Sequence, residues 1–124
     1  MIGIDTNLLL RLIVGDEPKQ AVMAREFLRG RCSADEPGYV CHIVLVELVW
    51  TLARAYGYPR EGIAAAIEQI LETAQLDVES PGEVVAAVQD YRRGAADFAD
   101  CLLVRVNAAT GCTHTATFDR KAAK

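Results

Sequence analysis

Asp5, Glu47, Asp97, Asp100 and Asp119 are the residues of this 124-residue chain whose types and positions could do chemistry together. Asp5 closes the short apolar run Ile2-Gly3-Ile4, and Asp119 follows residues 113–118, which read as a strand. In an open parallel α/β sheet both runs deliver their acids to the carboxyl rim, where ligands bind near a reversal of strand order. Asp97 and Asp100 stand three apart at a helix start, so both project from its first turn toward the positive end of the helix dipole. Glu47 is the single acid of the apolar stretch 43–56, read as a buried helix, and an isolated buried carboxylate demands compensation.

Five acids converging on one rim with no lysine near them repel one another unless a cation lies between them. Oxygen donors without a nearby Cys or His pair select Mg²⁺ or Mn²⁺, whereas zinc recruits nitrogen or sulfur. Such an ion orients a phosphodiester, polarises it and activates water for in-line attack. Each acid also has a plain structural role open to it. Asp5 and Asp97 can cap helices, and Asp100 can answer the helix dipole. Asp119 can sit in a turn, and Glu47 can pair with Arg54 along the stripe Glu47, Thr51, Arg54. It is the joint arrangement that favours the metal site.

The elements that must position these acids follow from periodicity. Ile2 to Ile4 predict a strand, and residues 8–14 a first helix ended by Gly15. Residues 18–28 predict a second helix, with Pro18 near its start and Gly30 just past its end. Residues 38–42 read as the second strand. Residues 43–56 form a helix ended by Gly57, and the helix after Pro59 turns Ile63, Ala66, Ile67, Ile70, Leu71 and Ala74 to one face. Residues 76–79 form a third strand, and Ser80-Pro81-Gly82-Glu83 matches a capping box opening the next helix. Asp97 opens a last helix that Gly111 ends, and 113–118 supplies a fourth strand. The alternation of strands with helices predicts an α/β domain with a parallel sheet covered on both faces.

Composition agrees with one soluble domain: 52% of residues are hydrophobic and 24% charged. No run reaches the roughly 18 apolar residues of a membrane span, and no basic leader precedes the first strand, so a cytoplasmic protein is expected. Seventeen acids against 13 bases give a net charge of −4, which excludes nucleic-acid binding through a general positive field. A bound cation removes that objection, with Arg11, Arg54, Arg92, Arg93, Arg105, Arg120 and Lys121 available to steer a strand. Cys32, Cys41, Cys101 and Cys112 form no Cys-x-x-Cys motif and read as reduced, mostly buried thiols.

Ile4-Asp5-Thr6-Asn7, Glu47 within Val-Leu-Val-Glu-Leu-Val-Trp, Asp97-Phe98-Ala99-Asp100 and Thr117-Phe118-Asp119, in this order, resemble the PIN-domain nucleases. The likeness spans nearly the whole chain and is nearest to the VapC-type toxins of bacterial toxin–antitoxin pairs. It implies a three-layer fold around a parallel sheet and a Mg²⁺- or Mn²⁺-dependent endoribonuclease. Asp5, Glu47, Asp100 and Asp119 match the family's catalytic acids, with Asp97 as the frequent extra acid. Asp5 and Asp100, joined by Asp97, would be direct metal ligands; Glu47 and Asp119 would hold a second ion or activate the nucleophile. Thr6, Asn7 and Thr117 would support the site. The resemblance also implies a homodimer, an RNA substrate and a cognate antitoxin. His42 departs from the family, standing where a small hydroxyl residue is common before the Glu helix, so a different local cap is expected. The sequence ends at Lys124, where relatives usually continue into a last short strand.

A non-catalytic protein-binding module that keeps the acidic rim is the alternative from another class. A phosphate-handling enzyme or receiver domain fits less well, because the first strand ends Asp-Thr-Asn without a second acid beside it and no lysine occurs between Lys19 and Lys121.

Overall fold

The computed structural model describes residues 1–118. The strands β1 (Ile2–Gly3), β2 (Gly38–Val40) and β3 (Leu76–Val78) form one parallel sheet in the order β1-β2-β3. Helices α1 (Thr6–Ile13) and α2 (Pro18–Arg31) join the first two strands, and α3 (His42–Tyr56) and α4 (Arg60–Leu71) join the second and third. The helices α5 (Pro81–Arg93) and α6 (Phe98–Thr110) complete an α/β fold. None of these helices is long and apolar enough to cross a membrane.

Helical spacing of apolar residues decides what faces the core. Leu45, Leu48, Val49 and Leu52 on α3 are buried, as are Ile63, Ala66, Ile67 and Ile70 on α4 and Val84, Ala87, Val88 and Tyr91 on α5. The central strand is the tightest point. Gly38 pairs with Ile2 on one side and Leu76 on the other, and a Cβ there would lie 2.7 Å from the buried Ile4 side chain and 3.3 Å from Cys32 Sγ. Only glycine lets β2 approach that closely. Gly57 ends α3 with φ 66°, a left-handed cap that favours glycine.

Several boundaries differ from the sequence expectation, for local reasons. Gly30 lies inside α2, which runs on to Arg31; on an exposed last turn glycine costs only about 1 kcal/mol and does not end the helix. The second strand stops at Val40 because Cys41 becomes the N-cap of α3 and His42 its first residue. The cap comes from across the sheet: Glu79 Oε1, just past β3, accepts from the His42 backbone N–H at 2.9 Å. The capping box at Ser80 does not form. Ser80 adopts φ 45° and its hydroxyl makes no cap bond, while its carbonyl receives the N–H groups of Glu83 and Val84.

Residues 113–118 form no strand, so the sheet has three strands among the described residues rather than four, without a reversal of order. All of this segment but Thr115 is exposed, Phe118 included, and it pairs with no strand among the described residues. Cys32 and Cys101 are buried free thiols, Cys41 is half-buried and Cys112 is exposed.

Replacing Gly38 by Ala should destabilise the protein by about 1–3 kcal/mol through overpacking, read as a lower urea midpoint at unchanged slope. A second expectation concerns pH. Asp90 on α5 accepts from Arg105 on α6 at 2.6 and 2.9 Å, and the Arg105 guanidinium holds the Asp90 carboxyl below the ordinary range. A depressed pKa stabilises the fold above the unfolded value of about 4 and loses that contribution as pH falls through the folded value. Asp90→Asn should therefore lower stability at pH 7 by less than about 1 kcal/mol, since the pair is part-exposed. Wild type and variant should converge in urea melts as pH falls through the lowered folded value of Asp90.

Candidate active site at the start of the first and last helices

Ile4 makes the last bond of the first strand's ladder, its N–H donating to the Tyr39 carbonyl at 2.8 Å. The next residue, Asp5, is thereby fixed at the carboxyl rim. It is the N-cap of α1: Oδ1 accepts from the Thr6 N–H at 2.8 Å, and the side chain is exposed. Capping and a site role coexist here, because a carboxylate has two oxygens and the cap uses one.

Thr6 is the only buried polar residue among those described, 4% exposed, and its hydroxyl donates to Glu47 Oε1. That bond joins α1 to the second turn of α3 and sets the Glu47 carboxylate beside the N-terminus of α1, where Asp5 already sits. The orphan N–H groups and positive dipole end of α1 favour negative charge there. Glu47 is exposed, which corrects the reading of it as an isolated buried carboxylate. The pair with Arg54 does not form either. Arg54 places its guanidinium 5.6 Å from the Trp50 ring centroid, and the Thr51 hydroxyl donates to the Glu47 backbone carbonyl at 2.8 Å. What compensates Glu47 is Thr6 together with solvent.

Asp97 occupies the N-cap position of α6, but its side chain makes no cap bond; it is exposed, and Asp100 lies half-buried in the first turn. Their placement is set from α4. Arg60 donates to the carbonyls of Tyr91 and Ala96, the latter at 2.9 Å, and its guanidinium lies 3.9 Å over the Tyr91 ring. Tyr91 in turn meets Phe98 edge to face at 6.0 Å. These contacts clamp the corner between α5 and α6 immediately before Asp97. Arg60 was absent from the residues singled out in the sequence, where only its place after Pro59 at a helix start is visible.

The structure thus brings Asp5 and Glu47 together through Thr6, and Asp97 and Asp100 together on one turn. Among the described residues no three His, Cys, Asp or Glu side chains are grouped closely enough to hold a metal. Asp119, the fifth acid, lies outside the described residues, as do Arg120 and Lys121. Asn7 is exposed on the first turn of α1, and Thr117 is exposed in the irregular segment after α6.

The donor set suits a hard divalent cation, because these four groups offer carboxylate oxygens alone. Neither histidine competes: Nε2 of His42 is 2.8 Å from the Glu79 carbonyl, and Nδ1 of His114 is 3.0 Å from the Thr113 hydroxyl. Burial, reinforced by the charges of Asp90, Asp100 and Asp97, pushes the Cys101 thiol up and so keeps it protonated at neutral pH. Of the arginines expected to steer a strand, Arg11 pairs with Asp16, Arg92 with Glu61 and Glu68, and Arg105 with Asp90.

Comparison with known proteins gives two matches. A family model described as PIN domain covers residues 2–124. A VapC ribonuclease of Aquifex aeolicus (strain VF5) is 30% identical over 99 residues, which is 80% of this chain and 73% of that protein. No solved structure matches significantly.

Removing the clamp tests its role. Arg60→Ala leaves two carbonyls without their charged donor and should cost about 2 kcal/mol in urea unfolding. Amide exchange should quicken around residues 94–100 before it does at β2.

Proposed function

This chain belongs to the PIN-domain family, and from that premise we propose that it is a metal-dependent endoribonuclease that hydrolyses RNA phosphodiester bonds, the toxin of a toxin–antitoxin pair. The observation that carries the reading is the Thr6–Glu47 hydrogen bond, which holds a second carboxylate at the helix start already capped by Asp5. A fold with only structural use for Glu47 would have no reason to keep it against another acid.

In this reading Asp5 and Asp100, joined by Asp97, are the residues that would hold Mg²⁺ or Mn²⁺, with Asp119 completing the acidic set. Bound there, the ion would supply the positive charge that a chain of net charge −4 lacks and would polarise the scissile phosphate. The protein's own groups do the rest. In this reading Glu47 accepts a proton from the attacking water, a role supported by the buried Thr6 hydroxyl that orients its carboxylate. The N-terminal amides of α1 and α6 offer positive dipole ends to a phosphate. The same proposal includes a cognate antitoxin that covers the acidic groove, a homodimer and a cytoplasmic location. Of the two classes weighed in the sequence, the enzyme is favoured over the binding module, since a binding surface needs no buried hydroxyl aimed at an acid.

Purified free of any partner and supplied with Mg²⁺ or Mn²⁺, the protein should cut single-stranded RNA in a gel assay. Asp5→Asn and Glu47→Gln should each lower the rate by about 100-fold or more, in line with the loss of a group acting in the transition state. Far-UV circular dichroism should be unchanged. Intact RNA across diverse substrates and both metals would place the protein in the binding-module class.

A further inference from the structure

The outward face of α3 carries Ile43, Glu47, Trp50 and Arg54, spaced i, i+4, i+7 and i+11, which an α-helix aligns in one stripe. All four are exposed, Trp50 by 60%. Trp50 is the only tryptophan of the chain. It stands three residues from Glu47, a rise of about 4.5 Å along the helix, so the helix itself sets its distance from the acid.

Arg54 gives this tryptophan a polar neighbour of a particular kind. Arg11, Arg92 and Arg105 are engaged by carboxylates, which cancel their charge locally. Arg54 makes no ion pair among the described residues, and its guanidinium lies against the Trp50 ring instead. An exposed aromatic ring with a guanidinium over one face and the other face open to solvent is a pairing that holds single-stranded nucleic acid. Bases stack on the ring whatever their identity, and the cation takes a phosphate or stacks in turn.

On the reading of the protein as a ribonuclease, we propose that Trp50 and Arg54 form a base-stacking subsite for single-stranded RNA, one helical turn from Glu47. A second copy of the chain is the less favoured occupant of this face. Closing a protein interface over the stripe would bury the Glu47 carboxylate and the Arg54 guanidinium between Ile43 and Trp50, and desolvating them is costly. A nucleic acid instead meets Arg54 with phosphate and leaves Glu47 in water. Because stacking does not discriminate among bases, the subsite positions the strand without selecting its sequence.

A single tryptophan makes its emission a reporter of this subsite alone. In EDTA, where no cleavage occurs, a single-stranded oligoadenylate of about ten nucleotides should quench that emission saturably, while an abasic strand of equal length should not. With end-labelled oligoadenylate, anisotropy should show Trp50→Ala weakening binding about tenfold or more, and Trp50→Phe restoring most of it. Arg54→Gln should weaken binding and flatten its dependence on salt. Emission indifferent to oligoadenylate, or equal affinity in Trp50→Ala, overturns the subsite. So does a blue-shifted emission that varies with protein concentration, which would mean that a second copy covers the face. Quenching by a protein that cuts no RNA would sink the nuclease reading alone; cleavage with Trp50→Ala binding normally would sink the subsite alone.

Discussion

One hydroxyl ties two acids to a single helix end, and that junction forms at the first turn of α1. Asp5 is placed by the last ladder bond of the sheet, Thr6 is buried directly after it, and the Thr6 hydroxyl reaches across to Glu47. Thr6 and Glu47, separated by 41 positions, are joined at one helix end, where unsatisfied amides and the helix dipole favour the negative charge of Asp5 and Glu47. Much of the remaining structure keeps that junction in register. Gly38 lets β2 lie close to Ile4, and Glu79 fixes where α3 begins, hence where Glu47 falls on it.

The second pair of acids depends on a different kind of support. Asp97 and Asp100 belong to one helix turn, so their mutual spacing follows from helix geometry alone. The position of that turn is a tertiary matter, set by Arg60 bridging two backbone carbonyls and by the Tyr91–Phe98 contact. A charged side chain serves well here because the Tyr91 carbonyl lies in the last turn of α5, where the helix ladder leaves it without a partner, and the Ala96 carbonyl lies in the link before α6.

Among the described residues, periodicity with helix-end signals locates each helix and each of the three strands, because each helix turns one apolar stripe inward. What it misjudges are matters that only packing decides. The run from Ile43 to Tyr56 reads as a buried helix, and its stripe Leu45, Leu48, Val49 and Leu52 does face the core, yet Ile43, Glu47 and Trp50 face water. Gly30 and the Ser80 motif resemble helix punctuation but are overridden by context. The segment at 113–118 has strand-forming residues but pairs with no strand among the described residues. For the site, Asp5, Glu47, Asp97 and Asp100 are legible from residue type and place, and Thr6 as a support. Arg60 and Glu79 are not, since each acts on backbone atoms more than 30 residues away.

The unusual start of α3 ties two distant positions into one unit. Glu79 receives the His42 amide, while the His42 ring meets the Glu79 carbonyl, so each residue completes what the other leaves open. A lineage that lost the glutamate would leave the amide of residue 42 without its acceptor and the imidazole without the carboxylate that lies 3.7 Å from its Nδ1. Positions 42 and 79 are thus expected to be inherited as a pair, and homologues with a hydroxyl at the first should be free to vary at the second.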